Sequence, residues 1–261
     1  MRKKVQSYKK PRVFYIIFGA ITRRKPSINM KRIVVLTGAG ISAESGIQTF
    51  RDGDGLWHNH RIEDVATPEA WERNPELVLE FYNQRRRQLH DVNPNAGHMA
   101  LAKLETAFEV EIITQNVDDL HERAGSTRVL HLHGELKKVR STSDPSLVYE
   151  MHGWELKMGD CCEKGSQLRP HIVWFGEAVP NIIPAVSLAR NADIFMVIGT
   201  SLKVYPAAGL LQHVPDQVAK YLIDPNASPE YFVDNLHVIR EKAGTGLPKL
   251  VEELIKNQSS F

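Results

Sequence analysis

The short apolar run Arg32–Leu36 (Arg-Ile-Val-Val-Leu) leads directly into Thr37-Gly38-Ala39-Gly40, and this junction constrains the fold more than any other stretch. An unbroken apolar run reads as a strand covered on both faces, and the glycines after it read as a tight turn. A strand covered on both sides needs helices on both sides. The rest of the chain supplies them. Helical spacing predicts helices over Pro75–Leu89, Asn95–Ala107, Val117–Arg123, Ile182–Arg190, Ala207–Gln212 and Leu247–Lys256. Strands are expected at Glu111–Thr114, Val129–Leu132, Ile194–Ile198 and Val218–Ile223. This alternation predicts an α/β fold with a doubly wound, mostly parallel sheet, a Rossmann-like arrangement. In such sheets ligands bind outside the carboxyl ends of the strands, where most of the polar punctuation falls. Residues 135–170 lose periodicity and read as a small inserted module, and the polar stretch 42–59 is long enough to be a functional loop.

Charge is unevenly placed. Of 33 Lys and Arg, nine lie in residues 1–29, which contain no acid; 24 basic and 31 acidic residues remain, a net of −7 for the body. A basic body suited to nucleic acid is therefore not expected. Residues 1–29 read as an extension outside the fold of 30–261, since Met30 is followed at once by a strand. Their apolar stretch, Val13 to Ile21, is about half of what a spanning helix needs. A membrane-surface role and a signal function remain as alternatives, although Arg23, Arg24 and Lys25 stand where a cleavage site would be. The two cysteines, Cys161 and Cys162, are adjacent and cannot make a disulfide framework or a four-cysteine zinc site. A reducing, cytoplasmic setting is expected.

Gly38-Ala39-Gly40 alone is equally a phosphate-approaching turn or an ordinary strand-to-helix turn, because the next glycine, Gly46, is farther on than in the usual dinucleotide fingerprint. The longer string is more specific. Gly38-Ala-Gly-Ile-Ser-Ala-Glu-Ser-Gly46 with Thr49-Phe50-Arg51-Asp52-Gly53 resembles the NAD-binding signature of the sirtuins, NAD-dependent protein deacylases. Thr114-Gln115-Asn116-Val117-Asp118-Asp119-Leu120-His121, His131-Leu132-His133-Gly134, Trp174-Phe175-Gly176-Glu177 and Gly199-Thr200-Ser201-Leu202 resemble further sirtuin motifs, in sirtuin order.

The resemblance implies NAD as cofactor and acylated lysine side chains as partners. The acyl group passes from lysine to ADP-ribose, releasing nicotinamide and O-acyl-ADP-ribose. It implies cofactor contacts at Gly38, Ala39, Gly40, Ala43, Phe50, Arg51, Trp57, Gln115, Asn116, Val117, Asp118, Gly199, Thr200 and Ser201. Asp224 stands where many sirtuins have asparagine, with Asn226 close by, and Ala243 and Gly244 match a turn against the adenine. His133 matches the base that deprotonates a ribose hydroxyl, a task suited to an imidazole neutral near pH 7. Strand periodicity puts His131 and His133 on one face and does not choose between them. Asn116 and Asp118 resemble the pair beside the nicotinamide pocket; read alone, they equally suit capping of the following helix.

Tyr82 and Arg85 are three apart in a predicted helix and share a face. A phenol beside a guanidinium suits a carboxylate. This Tyr-x-x-Arg resembles the sirtuin subgroup that removes succinyl and malonyl groups; the alternative is that Arg85, Arg86 and Arg87 form a solvated basic face. Residues 171–177 are expected to form an edge strand against which an acyl-lysine peptide lies, through Val173, Phe175, Gly176 and Glu177. Most sirtuins hold a structural zinc in the small module. Here Ser141 and Asp144 replace the first pair of ligands, and Lys164 falls near the second pair, beside Cys161 and Cys162. No metal is expected; Trp154, Leu156 and Met158 are expected to pack the module. A plain deacetylase, a mono-ADP-ribosyltransferase and a non-catalytic ADP-ribose-binding module are the competing readings.

Overall fold

Strand and helix alternate along the chain because runs such as 33–36 and 194–198 are apolar throughout, whereas the segments between them are apolar on one helical side. The computed structural model describes residues 30–48, 56–57, 60–200, 202, 204–227 and 233–258. In chain order the first half contains β1 (Arg32–Thr37), α1 (Ala39–Ala43), β2 (Leu56–Trp57), β3 (His60–Arg61), α2 (Ile62–Val65), α3 (Pro68–Arg73), α4 (Pro75–Asp91) and α5 (Ala96–Leu104). Next come β4 (Glu109–Thr114), α6 (Leu120–Ala124), β5 (Val129–His131), β6 (Gly134–Ser141), β7 (Val148–Glu150) and β8 (Leu168–Ile172). The remainder is α7 (Ile182–Arg190), β9 (Ile194–Ile198), a 3₁₀ helix (Ala207–His213), β10 (Ala219–Ile223), β11 (Leu236–Ile239) and α8 (Ala243–Asn257).

The main sheet has six strands in the order β11-β10-β9-β1-β4-β5. Every pairing within it is parallel. The chain leaves β1 toward β4 and β5, then returns to the other side of β1 for β9, β10 and β11. The strand order therefore reverses at β1, the position at whose carboxyl end such sheets bind their ligands. Side chains alternate across the sheet. Ile33, Val35, Ile112 and Met196 pack under α5 and α8, while Val34, Leu36, Ile113 and Phe195 pack under α7 and the 3₁₀ helix.

The inserted module is more regular than its sequence suggests. β6 pairs antiparallel with β7 and β8. Leu136, Val139 and Ser141 of β6 face inward between charged neighbours. Lys137, Lys138 and Arg140 hide this alternation in the sequence. Val139, Tyr149, Leu156, Cys162 and Leu168 form the module's core together with Leu79 of α4. Leu156 is buried as expected, but Met158 is exposed and contributes nothing to that core. Trp154 instead lies under the Arg87 guanidinium, 3.9 Å from ring centroid to Cζ.

Other boundaries shift for local reasons. α4 extends to Asp91 and begins at Pro75, with the Asn74 side chain accepting the Leu77 N–H at 3.1 Å. α6 starts at Leu120, not Val117, because 115–119 form a loop at the end of β4. α8 starts four residues before Leu247. Burial of Ala243, Gly246 and Leu247 outweighs the helix-breaking tendency of Gly244, Gly246 and Pro248. Ala243 and Gly244 are thus the first helical turn, not the free turn expected. The expected edge strand over 171–177 ends at Ile172; Val173–Glu177 leave the sheet through a turn at Gly176, φ +90°. Strand β11 has no counterpart in the sequence reading.

Candidate active site

The ends of β1 and β9 approach so closely that side chains are excluded. The Gly38 N–H donates to the Ile198 carbonyl at 2.9 Å, and the Gly40 N–H to the Gly199 carbonyl at 2.8 Å. A Cβ on Gly40 would lie 2.7 Å from Gly199 Cα, and one on Gly38 would lie 2.6 Å from Thr200 Cβ. Gly199 has φ +62° and faces the Ile41 nitrogen. These glycines are required by the backbone itself, a reason that phosphate binding alone did not supply.

A buried polar network follows β4. Asn116 Nδ2 donates to the Gly38 carbonyl and to Ser42 Oγ, each at 3.0 Å. Ser42 Oγ donates to Asp118 Oδ2 at 2.9 Å. Asp118 Oδ1 accepts the N–H of Leu120, the first residue of α6, at 3.2 Å, while the N-cap Asp119 makes no side-chain capping bond and the Asn116 side chain bonds elsewhere. Burial raises the Asp118 carboxyl above the ordinary range, against the Ser42 hydrogen bond. Ser42 joins both residues, and neither periodicity nor the motif had singled it out. Gln115 Nε2 reaches Thr200 Oγ1 at 3.3 Å, closing the crevice from the β9 side.

The two histidines separate by partner. His131 meets two acceptors: the Asn116 carbonyl at Nδ1, 3.0 Å, and Glu122 Oε1 at Nε2, 2.8 Å. Both nitrogens must then carry protons. Burial alone would lower its pKa, but the Glu122 hydrogen bond and charge raise it above 6.5. His133 directs Nδ1 at the Gln115 carbonyl at 3.0 Å, so Nδ1 is protonated and Nε2 holds the lone pair. Burial lowers its pKa, against that hydrogen bond.

On α4, Tyr82 and Arg85 are buried, so Arg85 is not part of a solvated face. The Trp174 Nε1–H donates to the Tyr82 hydroxyl at 3.1 Å. Burial pushes the phenol up to about 12. Burial brings the Arg85 guanidinium down to about 10, with the nearby Tyr82 and Asp118 favouring its charge, so it is a cation at neutral pH. Arg86 is also buried and turns the other way, onto the Trp154 carbonyl at 2.7 Å and Asn83 Oδ1 at 2.6 Å. Arg87 alone is exposed.

The segment after β8 runs beside His133. The Val173 N–H donates to the His133 carbonyl at 2.9 Å, and the Phe175 N–H to the Ala66 carbonyl at 3.0 Å. The Phe175 ring is exposed. Glu177 does not present its carboxylate outward. It accepts from Arg169 Nη1 at 2.8 Å, Arg140 Nη2 at 3.0 Å and the Trp174 N–H at 2.8 Å. Its side chain therefore anchors the loop. At the far side, the buried Asp224 carboxylate accepts the Asn226 N–H at 2.8 Å, and Asn226 is exposed. Ala43 ends α1 and Ala39 begins it, with Val117 half-buried beneath the loop. Ala243 is drawn toward α1 by the Gly244 N–H on Glu44 Oε1, 3.0 Å. Phe50, Arg51, Ser201 and the Trp57 side chain lie outside the described residues.

The zinc that the resemblance implies does not fit. The four corner positions bond to one another: Cys162 Sγ donates to Ser141 Oγ at 3.3 Å, and Lys164 Nζ to Asp144 Oδ2 at 2.7 Å. An ammonium within the corner repels a cation and donates no lone pair. Among the described residues no three His, Cys, Asp or Glu side chains are grouped to hold a metal. Nor is any described helix long and apolar enough to cross a membrane.

Sheet order and the crevice at β1 place the chain among doubly wound dinucleotide-binding proteins, and comparison with known proteins narrows this. A family profile described as the Sir2 family matches residues 38–206. An NAD-dependent protein deacylase of Helicobacter pylori (strain ATCC 700392 / 26695) is 56% identical over 232 residues, covering 88% of this chain and 100% of the relative. One from Bacteroides thetaiotaomicron is 56% identical over 87% of this chain and 99% of the relative. A solved Sir2 homologue in complex with ADP-ribose superposes with a TM-score of 0.81 at 42% identity, covering 88% and 94% of the two chains. A Sir2 homologue complexed with NAD gives 0.78 at 41% identity, covering 88% of this chain and 91% of the other. The chain belongs to the Sir2 family, the sirtuins, and its cofactor is NAD. The donor set agrees: amide and hydroxyl groups of Gln115, Asn116 and Thr200 gather with a neutral imidazole at the side-chain-free turn.

Proposed function

We propose that this NAD-dependent protein deacylase of the Sir2 family removes succinyl and malonyl groups from lysine in preference to acetyl. One observation carries the reading: Arg85 is a buried guanidinium one turn from the buried Tyr82 hydroxyl, close to Asp118. A planar guanidinium beside a phenol binds a second carboxylate on the acyl group with paired N–H donors. A neutral acetyl group gives the cation nothing to hold.

When bound, NAD supplies the electrophilic ribose carbon to which the acyl oxygen adds as nicotinamide leaves. The residues of this chain orient and move protons around that event. His133 Nε2 accepts a proton from a ribose hydroxyl, while the Gln115 carbonyl holds the Nδ1–H and so fixes the tautomer. Asn116 and Asp118, locked through Ser42, present the carboxamide and carboxylate at the nicotinamide side. Val173, Phe175 and Gly176 offer main chain and an apolar ring to the acyl-lysine peptide. Two free cysteines, one exposed and one buried, suit a reducing compartment such as the cytoplasm.

The test is one lysine peptide carrying either succinyl or acetyl, assayed with and without NAD, using wild type and Arg85→Met. NAD-dependent desuccinylation is expected to fall about 100-fold in the variant, the scale of a lost buried charge pair, with acetyl cleavage within about threefold. Acetyl cleavage by wild type at least as fast as succinyl cleavage would leave a deacetylase. ADP-ribose left on a protein acceptor would favour a transferase.

A further inference from the structure

We infer that Trp174 sets acyl specificity at one remove: its indole N–H commits the Tyr82 hydroxyl to donating, so that Tyr82 and Arg85 together take only an accepting group such as a carboxylate. The inference deepens the acyl-carboxylate reading proposed above and rests on it. The Trp174 Nε1–H donates to the Tyr82 hydroxyl oxygen at 3.1 Å, with both side chains buried. An indole nitrogen only donates, so the phenol oxygen must accept, and its own proton is left to donate elsewhere. Among the described residues no acceptor meets that proton. A buried hydroxyl left to donate points to an acceptor from outside the chain. Burial pushes the phenol up to about 12, against the charge of Arg85, so the proton stays in place at neutral pH. The Arg85 guanidinium has N–H donors and no acceptor. A carboxylate, which only accepts, suits both groups at once; a methyl group suits neither.

The indole is itself held from several sides. The Arg169 guanidinium lies over its ring, Cζ 3.3 Å from the centroid, and Trp71 packs beside it at 5.9 Å between centroids. Glu177 ties this stack to the backbone. Its carboxylate accepts from Arg169 Nη1 at 2.8 Å, from Arg169 Nη2 at 3.1 Å and from the Trp174 N–H at 2.8 Å. The Glu177 N–H donates back to the Trp174 carbonyl at 3.0 Å, closing the turn at Gly176. One carboxylate thus fixes the main chain of Trp174 and the cation stacked on its side chain, and that stack limits how far the indole can tilt. Trp174 is therefore a positioning residue, acting through Tyr82, with Arg169 and Glu177 behind it.

The hydrogen bond is read without substrate from the indole ¹H–¹⁵N spectrum of the full-length protein, which has four tryptophans. The cross-peak absent from Trp174→Phe is expected to move upfield in Tyr82→Phe; an unmoved peak overturns the inference. Specificity is read as the ratio of kcat/KM for succinyl-lysine over acetyl-lysine peptide. Trp174→Phe keeps an aromatic ring and removes the N–H. It is expected to lower the ratio about tenfold, through the succinyl KM, the scale of one hydrogen bond. In a Tyr82→Phe background the same substitution is expected to change the ratio by less than about twofold, because the hydroxyl it acts on is gone. Equal losses with and without that hydroxyl would make Trp174 a packing residue and overturn the inference. Arg169→Lys, which keeps the charge but not the planar stack, serves as the second variant and is expected to lower the ratio in the same way. An unchanged ratio in either folded variant overturns the inference. Wild-type cleavage of acetyl at least as fast as succinyl would instead overturn the acyl-carboxylate reading and the specificity role with it.

Discussion

His131 and His133 lie two positions apart, and hydrogen-bond partners give them opposite protonation states. His131 faces a carbonyl and the Glu122 carboxylate, so it is held as a cation; His133 faces one carbonyl and keeps a lone pair. Strand periodicity had no access to this, because the partners lie on other elements, the loop after β4 and α6. The pH consequences differ in sign. The folded pKa of His131 is raised above 6.5, so its contribution to stability is full below that value and is lost as pH rises through the folded pKa. The difference in stability between wild type and His131→Gln should therefore be largest below pH 6.5 and shrink in alkaline buffer, as read by denaturant midpoints. A pH-independent difference would refute the charged state. The pKa of His133 is lowered by burial, which favours the neutral, accepting form that the proposed base needs. The acid limb of kcat/KM should have its midpoint below 6.5. His133→Ala should lose roughly 10²–10⁴ in turnover while ADP-ribose affinity changes little. Comparable losses in binding and turnover would argue for a structural histidine.

At the scale of elements, α4 carries three consecutive arginines whose surroundings differ. Arg85 lies by the site. Arg86 and Asn83 stitch the module down: Asn83 donates to the Leu156 carbonyl at 3.0 Å and accepts the Leu156 N–H at 2.9 Å. A run of three basic residues reads as a solvated face from sequence, and only tertiary context shows two of them buried. The module itself was the least legible part, since short strands with charged outward faces carry no clear periodicity. Its corner is closed by Cys162 on Ser141 and Lys164 on Asp144, so a strong chelator should shift the thermal midpoint by less than about 1 °C. A large drop would mean a metal is bound after all. Replacing Arg86 by Met should cost about 3 kcal/mol in a urea titration, because the Trp154 carbonyl and Asn83 lose a buried charged donor. A change below about 0.5 kcal/mol would show that solvent satisfies these groups. Lys220 does similar work at the opposite edge, its ammonium lying 2.9 Å from the Pro215 carbonyl and 3.0 Å from that of Val218.

On the scale of the whole molecule, the parallel sheet was legible because its central strands β1 and β9 are buried on both faces and read as nearly unbroken apolar runs. The exceptions are informative. β11 is an edge strand with His237 and Val238 exposed, so it lacks such a run. The glycine turn was legible as a motif, but its tightest constraint, backbone against backbone between β1 and β9, appears only once distant strands pair. That constraint makes cofactor binding a property of the whole sheet. Strands β9 and β10 lie on one side of β1, and β4 and β5 on the other, so a cofactor held at the proposed contacts Gln115 and Thr200 would bridge both halves. A ligand that binds only the folded state stabilises it by about 2.7 kcal/mol at 100 times its dissociation constant. For a chain of this size that corresponds to a rise of about 5–10 °C in the thermal midpoint. Gly199→Ala tests the bridge. Its Cβ would stand 2.5 Å from the Ile41 nitrogen at φ +62°, forcing the two turns apart. The variant should melt lower than wild type and lose the ADP-ribose shift, whereas His133→Ala, which leaves the turns intact, should keep it. A Gly199→Ala protein that retained the full shift would show that the ligand rests on one half of the sheet alone.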